Sequence, residues 1–552
     1  MSEAPDTLTP GGPRDMNLLP EVVRAMMQPG FYPEGTSKVE LRQTHISYVF
    51  LTDDSVYKVK KPVRFPFLDF VDLDRRGFFC AEEVRLNSRL SQGLYFGAFA
   101  ILRRDGRIVL GPRVEHSHPE AVEYAIKMRR LQDDRMLDRL IARHLVDARH
   151  IRSIAERIAQ FHASAQASAA QTYGSAVSLW RAMTSELAQY ERFVGKTLNR
   201  EQFVTIDEFC RAFIASHWGM LDVRARDGRV REGHGDLRAE HICLENGAIE
   251  IIDCVEFSEA LRYSDVASEI AFLAMDLDRL RAAPLAQQLV EAYAEITHDE
   301  DLPILVPFYK CCRASVRGKV ESLRSLAREV GLEERERANQ LAHSHFALAS
   351  GYAQIGAPAL IVVCGLSGAG KSTVARLLQH RTGFKILNSD KVRKHLAGVS
   401  LSEHPRRTYR EGIYSDAFSK LTYDAMHAQA ENLLNSGCGA IIDASFKSSA
   451  NRLKMFTAAA KLRLPVIFVE CVVSIEEAHR RLKRRAEAVD EASDATVEIH
   501  ELQRGEFEPI TEIPAPNHVT IDTGRESPEQ IVFQIEAALR RLRQAIRAGK
   551  ER

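Results

Sequence analysis

VVCGLSGAGKSTVAR, Val362 to Arg376, decides how the second half of the chain is read. It passes from an apolar, β-branched run through a glycine-rich turn into the start of a helix, where Val374, Leu377 and Leu378 recur at helical spacing. Gly365, Gly370, Lys371 and Ser372 fill the template GxxxxGK[ST], known as Walker A. In that template successive backbone N–H groups of a loop opening a helix wrap a phosphate, and the lysine ammonium reaches its outer oxygens. The expected phosphate contacts are Gly365, Ser367, Gly368, Ala369, Gly370, Lys371, Ser372 and Thr373, with the Ser372 hydroxyl as a Mg²⁺ ligand. The competing reading is a glycine turn carrying an incidental lysine.

Downstream, apolar runs alternate with helical periods. FKILNSDKVRKHL reads as a strand running into a helix, with Asp390 and Arg393 just past the strand end. Ligands of open α/β sheets sit at the carboxyl ends of strands, so this pair is expected to face the phosphate loop; the plainer reading is an N-cap followed by an arginine. GCGAIIDASF delivers Asp443 from a buried strand, LPVIFVEC is another strand, and HVTIDT a fifth before the closing helix PEQIVFQIEAALRRLRQAI. Between the last two strands lie Arg480, Arg481, Lys483, Arg484 and Arg485 on about two helical turns, either a solvated basic face or a lid that closes over a phosphoryl group. Strands alternating with helices predict a parallel sheet with helices on both faces.

The first half has another character. VELRQTHISYVFLT, a DDS turn and VYKVKKPV read as a hairpin ending in a lysine-bearing strand, and further strands are expected at Ala98 to Leu102, Arg107 to Leu110 and from Glu123. A helix carries Glu83, Val84 and Leu86, and from Asp133 to Ser216 the pattern is helical and alanine-rich. A small sheet-bearing lobe therefore hands over to a helical one. REGHGDLRAEHICLENGAIEIIDC, from Arg231, makes a hairpin with Asp236 before it and Asp253 at its far end. In phosphoryl transfer such a placement lets one aspartate deprotonate or orient an attacking hydroxyl while the other holds Mg²⁺; taken singly, each aspartate reads as a turn cap or a strand end.

HGD, the apolar hairpin and IIDxxEF resemble the aminoglycoside phosphotransferase and choline kinase group, relatives of the protein kinases, from about Val39 to Ser350. The resemblance implies that Asp236 is the catalytic base and Asp253 the metal-binding aspartate. It also implies that Lys58 or Lys60 is the lysine on the nucleotide phosphates and that Glu83 is its ion-pair partner. Strand alternation puts both lysines on one face and leaves the pair open, with Lys58 preferred. The family's second metal ligand is an asparagine, and His241 stands in its place, an imidazole better suited to softer metals than Mg²⁺.

Pro358 to Ile546 resembles the P-loop branch containing phage polynucleotide kinase and zeta-toxin-like enzymes. That resemblance implies phosphate and Mg²⁺ on Lys371 and Ser372, Asp390 as base for an acceptor hydroxyl, Arg393 holding the acceptor, and Arg481 and Arg485 in the lid. Asp443 either touches the substrate side or braces Arg393. The whole chain resembles bacterial bifunctional aminoglycoside phosphotransferase/ATP-binding fusions. The expected fold is α/β and α+β multidomain: a leader over residues 1–30 without fixed structure and a protein-kinase-like two-lobed domain over 31–350, divided near 130. A linker over 351–358 and a P-loop domain over 359–552 complete it.

Lys+Arg and Asp+Glu are both 75, so no global field favours nucleic acid or an anionic membrane. The 9 cysteines form no CxxC pair, which fits a reducing cytoplasm, and no stretch approaches a membrane span or a signal-peptide core. The expectation is a cytoplasmic ATP- and Mg²⁺-dependent kinase acting on a small-molecule hydroxyl at two sites. The alternatives are an N-terminal domain that only senses a nucleotide or metabolite, and a C-terminal kinase of nucleic-acid 5′-hydroxyls. The latter lacks the aromatic residues among basic ones that strand binding uses.

Overall fold

A computed structural model describes residues 19–65, 68–167, 169–245, 247–327, 331–400, 412–486 and 496–550. Two compact units emerge. One comprises the chain up to Ser178 together with Met220–Asp299, and the other Leu179–Gly219 together with Glu300 to the C-terminal end.

The first unit is built on six antiparallel strands: β1 (Glu40–Gln43), β2 (Ser47–Leu51), β3 (Ser55–Lys60), β4 (Tyr95–Arg104), β5 (Arg107–Val114) and β6 (Ala121–Arg129), in spatial order β1-β2-β3-β6-β4-β5. Period-2 alternation in β3 sends Tyr57 and Val59 into a core with Phe50, Ile101, Val23 and Met26, which leaves Lys58 and Lys60 on the opposite face. Across the sheet lies the helix Leu73–Asn87, whose first turn is capped by Asp72 accepting from Arg75 N at 3.0 Å and whose Cys80 packs on Ala98, Ala100 and Tyr124. Val23 and Met26 belong to a helix, Glu21–Met26, so the unstructured leader expected to reach residue 30 does not; two apolar residues one turn apart give that helix a face to bury. The rest of that leader, residues 1–18, lies outside the described residues. The helical part of the unit holds Ala148–Ser164, Val266–Arg279, Ala283–Thr297 and the hairpin of β7 (Ile242–Glu245) and β8 (Ala248–Ile251), paired Ile242 to Ile251.

In the second unit, strands β9 (Leu360–Cys364), β10 (Lys385–Asn388), β11 (Ala440–Asp443), β12 (Val466–Val472) and β13 (His518–Asp522) form a parallel sheet in the order β10-β11-β9-β12-β13. All of β9 is buried. Ile361 and Val363 pack on one side with Ala375, Leu378 and Ile535, while Leu360 and Val362 pack on the other with Met426, Phe446 and Met455. Both faces are therefore covered by helices, as an unbroken apolar run in a parallel sheet requires.

Helices Arg200–Ser216, Leu302–Leu326 and Leu332–Gly356 belong to this unit as well, so the compact division does not fall at residues 351–358. The last of these helices runs through most of the expected linker. Its Gly356 lies where a Cβ would come within 2.7 Å of the Phe209 ring, and Phe213 stacks on Phe308 with centroids 4.3 Å apart. Gly351 and Gly356, which look like punctuation in the sequence, sit within a helix whose close packing needs a missing side chain at Gly356.

Candidate active sites

The phosphate loop leaves the end of β9 and enters the helix Lys371–Thr382. Gly365, Gly368 and Gly370 have φ of 131°, 82° and 83°, a region only glycine adopts without strain, and a Cβ on Gly365 would run into the Cys471 carbonyl oxygen. The glycines of the motif are thus demanded by backbone geometry. Lys371 Nζ donates to Leu366 O at 2.9 Å, folding over the loop it serves. Ser372 and Thr373 occupy the first helical turn, and Thr373 N donates to Gly370 O at 3.1 Å.

Strand register brings the acidic residues alongside. Asp443 is paired with Val363 on one side and Asn388 on the other, so β10 and β11 end level with the strand that feeds the loop. Asn388 accepts from Asp390 N and Lys391 N at 3.0 Å, capping the helix Ser389–Leu396, and its amide donates to Asp443 Oδ2 at 2.8 Å. Arg393 Nη1 meets Asp390 Oδ1 at 3.0 Å and its guanidinium lies over the Tyr414 ring at 4.8 Å. Asp443 is therefore braced by Asn388, and Arg393 is paired with Asp390. Arg393 Nε is buried without a hydrogen-bond partner among the described residues.

Arg481 lies on the basic helix Ile475–Ala486, next to the loop: its Nη1 and Nη2 donate to Thr523 Oγ1 and O at 2.9 Å, its Nε to Glu477 at 2.7 Å, and Thr523 Oγ1 donates to Ala369 O at 2.9 Å. The Arg485 side chain lies outside the described residues. Sequence reading missed Thr523, Gln503 and Arg452. Gln503 Oε1 accepts from Ser367 N at 3.0 Å and from Ser367 Oγ at 2.9 Å. Fully buried Arg452 ties the Phe446 and Lys447 carbonyls to Glu508 O and the Glu512 carboxylate. These partners lie in distant segments of irregular pattern, so no local spacing announces them.

The candidate site of the first unit is assembled by ion pairs. Lys58 Nζ lies 2.8 Å from Asp253 Oδ1 and 2.9 Å from Glu83 Oε1, while Lys60 Nζ lies 2.7 Å from Glu83 Oε2 and also meets Glu256. One glutamate thus serves both lysines. The Lys58 side chain keeps 16% of its surface and faces half-exposed Asp253, whereas Lys60 keeps none. Burial opposes the charge on Lys58, but Asp253, Glu83 and Glu256 outweigh it and hold its ammonium well above the ordinary lysine range. Burial likewise opposes the charge on Asp253, yet Lys58 and His241 hold its carboxyl far below the usual range.

Asp253 has φ of 64°, so the chain leaves the hairpin through a left-handed residue. Asp236 accepts a forked pair from Arg238, Nε at 3.1 Å and Nη2 at 2.9 Å. His241 Nδ1 bonds Asp236 O at 2.8 Å, which turns Nε2 toward Asp253 Oδ2 at 3.6 Å. Behind them His234 is buried, and Glu269 accepts from Gly235 N at 2.5 Å and faces His162 Nε2 at 3.0 Å. Burial raises the Glu269 carboxyl, but the His162 contact, the His234 charge and the Gly235 N–H overcome it and hold it at about 2. Arg238, Glu256 and Glu269 were not singled out from sequence; Arg238 is recognisable in retrospect, two residues beyond Asp236.

The AAA domain family matches residues 360–510, the span of the phosphate loop and the four strands β9 to β12. Uncharacterized proteins of Mycobacterium bovis and of two strains of Mycobacterium tuberculosis are 29% identical over 462 residues, covering 84% of this chain and 88% of theirs. A shikimate kinase of Geobacter metallireducens is 27% identical over 186 residues, 32% of this chain and 90% of that enzyme. Among solved structures, a choline/ethanolamine kinase family protein from Mesorhizobium loti aligns over 59% of this chain and 98% of its own, with 13% identity and a TM-score of 0.36. A gluconokinase from Sinorhizobium meliloti aligns over 35% and 97%, with 20% identity and a TM-score of 0.26. The parallel sheet, the phosphate-loop motif and the family match together place a P-loop domain at residues 360–510. No helix among the described residues is long and apolar enough to cross a membrane.

Proposed function

We propose that the chain transfers the γ-phosphoryl group of ATP to a hydroxyl of a small molecule, with the principal site at the P-loop and a second nucleotide site in the first unit. The observation that carries this reading is the register that sets Asp443 level with Val363 and, through Asn388, puts Asp390 and Arg393 on the next strand end. In this reading Gly365, Ser367, Gly368, Ala369 and Gly370 present N–H groups to the phosphates and Lys371 leaves Leu366 O to reach the outer oxygens. Asp390 takes the proton of the acceptor hydroxyl, Arg393 turns its guanidinium toward the acceptor, and Arg481 and Arg485 offset charge on the transferring group.

The Ser372 hydroxyl and the Asp443 carboxylate are oxygen donors of the kind that suits Mg²⁺, which when bound would neutralise phosphate charge. In the first unit Lys58 is the lysine of the nucleotide phosphates, because it faces Asp253 while Lys60 is enclosed between Glu83 and Glu256. Asp236 acts there as base once Arg238 releases it. Asp253 supplies a carboxylate oxygen to a cation, and His241 replaces a second oxygen ligand with nitrogen, a mixed set that tolerates Mg²⁺ less well than the P-loop pair.

A second reading, in which the first unit senses a nucleotide without turnover, is favoured by one observation: Asp236 is already neutralised by the Arg238 fork. Transfer of label from γ-labelled ATP into a metabolite pool, run with Lys371→Ala and Asp236→Asn, separates the two. Two-site transfer predicts a distinct labelled product lost in each variant. If Asp236→Asn loses no product while Lys371→Ala loses all of them, the first unit is a sensor.

A further inference from the structure

Beside the phosphate loop the basic helix Ile475–Ala486 and the helix Val497–Glu506 bring together His479, His500 and Glu501, with one ligand atom from each lying within 4.8 Å of the others. His500 is 3% exposed, and its Nδ1 bonds the Ser367 carbonyl oxygen at 2.7 Å. That bond fixes the proton on Nδ1 and leaves the Nε2 lone pair, buried and without a hydrogen-bond partner among the described residues. A histidine that donates one ring N–H to a carbonyl and presents the other nitrogen bare has the arrangement of a metal ligand with its outer-shell partner in place. His479 Nε2 stands 3.0 Å from Glu501 Oε1, close to the roughly 3.3 Å that separates neighbouring ligands on a tetrahedral ion with bonds of about 2.0–2.1 Å. The other carboxylate oxygen, Oε2, is occupied by Arg504 at 3.3 Å, so Oε1 is the one left for an ion.

We propose that His479, His500 and Glu501 form a binding site for a borderline-soft divalent cation of the Zn²⁺ type, with solvent in the fourth position. Two imidazoles and one carboxylate select such an ion over Mg²⁺, so the site does not compete for the cation of the phosphate loop. Its position gives it a consequence. A bound ion joins the helix that carries Arg481 to the helix that carries Gln503, and both His500 and Gln503 hold Ser367 of the loop. The ion would therefore fasten the basic helix over the loop while leaving the loop's own contacts unchanged.

The site is tested on the full chain with Zn²⁺ alone, without nucleotide or acceptor, so that the outcome does not depend on the phosphotransfer reading. Competition against a chromophoric chelator under reducing conditions gives affinity, and Co²⁺ substitution gives the visible absorption of a four-coordinate ion. The expected result is one ion per chain, an affinity loss of about 100-fold in His479→Ala and in Glu501→Gln, and loss of the Co²⁺ bands in both. Their side chains are 28% and 43% exposed, so neither substitution threatens the core. Absence of tight Zn²⁺ binding, or binding and Co²⁺ bands that persist in both variants, would overturn the proposal.

Discussion

The two proposed phosphate-handling regions hold their charges in different ways. In the first unit every candidate cation leans on a carboxylate: Lys58 on Asp253 and Glu83, Lys60 on Glu83 and Glu256, Arg238 on Asp236. Around the P-loop the loop lysine and Arg481 lean largely on neutral backbone and hydroxyl oxygens, Leu366 O, Thr523 O and Thr523 Oγ1, with carboxylates entering, among the described residues, as Glu477 on Arg481 and Asp390 on Arg393. A phosphate entering the P-loop replaces weak neutral hydrogen bonds with charge-assisted ones. In the first unit a phosphate would have to compete with ion pairs already formed, so nucleotide and cation are expected to bind there more weakly.

Lys371→Ala removes the lysine of the loop and is expected to lower transfer by the P-loop site about a thousandfold, with the fold intact by circular dichroism. Lys60→Ala leaves Glu83 and Glu256 facing each other in a buried cluster and is expected to cost about 3–5 kcal/mol in a denaturant titration. Lys58→Ala, with solvent and Lys60 nearby, should lose nucleotide affinity with much less stability. If the two lysine variants exchange these effects, the assignment of Lys58 to the phosphates is wrong.

Acid sharpens the picture of the first unit's interior. Glu269 titrates at about 2 when folded, against an ordinary glutamate value of 4.5. A depressed carboxylate contributes stability that is complete above pH 4.5 and declines as pH falls through the folded value, here on the order of 3 kcal/mol. Acid titration of stability should show this slope between pH 4.5 and 2, and Glu269→Gln should flatten it. The smallest effect is expected from Gln503→Ala, which removes the side chain holding Ser367 at both its N–H and hydroxyl: about 1–2 kcal/mol of nucleotide binding at the P-loop, by calorimetry.

How much of this was legible in the sequence follows from how local each signal is. Gly365, Gly370 and Lys371 are readable because one short loop needs them at fixed spacing, and the strands ending in Asn388 and Asp443 announce themselves as apolar runs. Lys58 and Lys60 could not be separated by pattern, since alternation gives both the same face; only Asp253, far along the chain, distinguishes them. The same applies to Asp443, whose partner proved to be Asn388, an ordinary helix cap by sequence. Gly351 and Gly356 misled as boundary marks because glycine serves a turn and a close helix contact equally well, and the ring that approaches Gly356 most closely, that of Phe209, lies more than a hundred positions away.

The central claim, two nucleotide sites of unequal construction in one chain, is tested most directly by counting bound non-hydrolysable ATP analogue on the full chain at saturation. The account predicts two per chain, the tighter lost in Lys371→Ala and the weaker lost in Lys58→Ala, each variant keeping the other. A single bound nucleotide in the unaltered protein, or loss of both in Lys371→Ala, would contradict it.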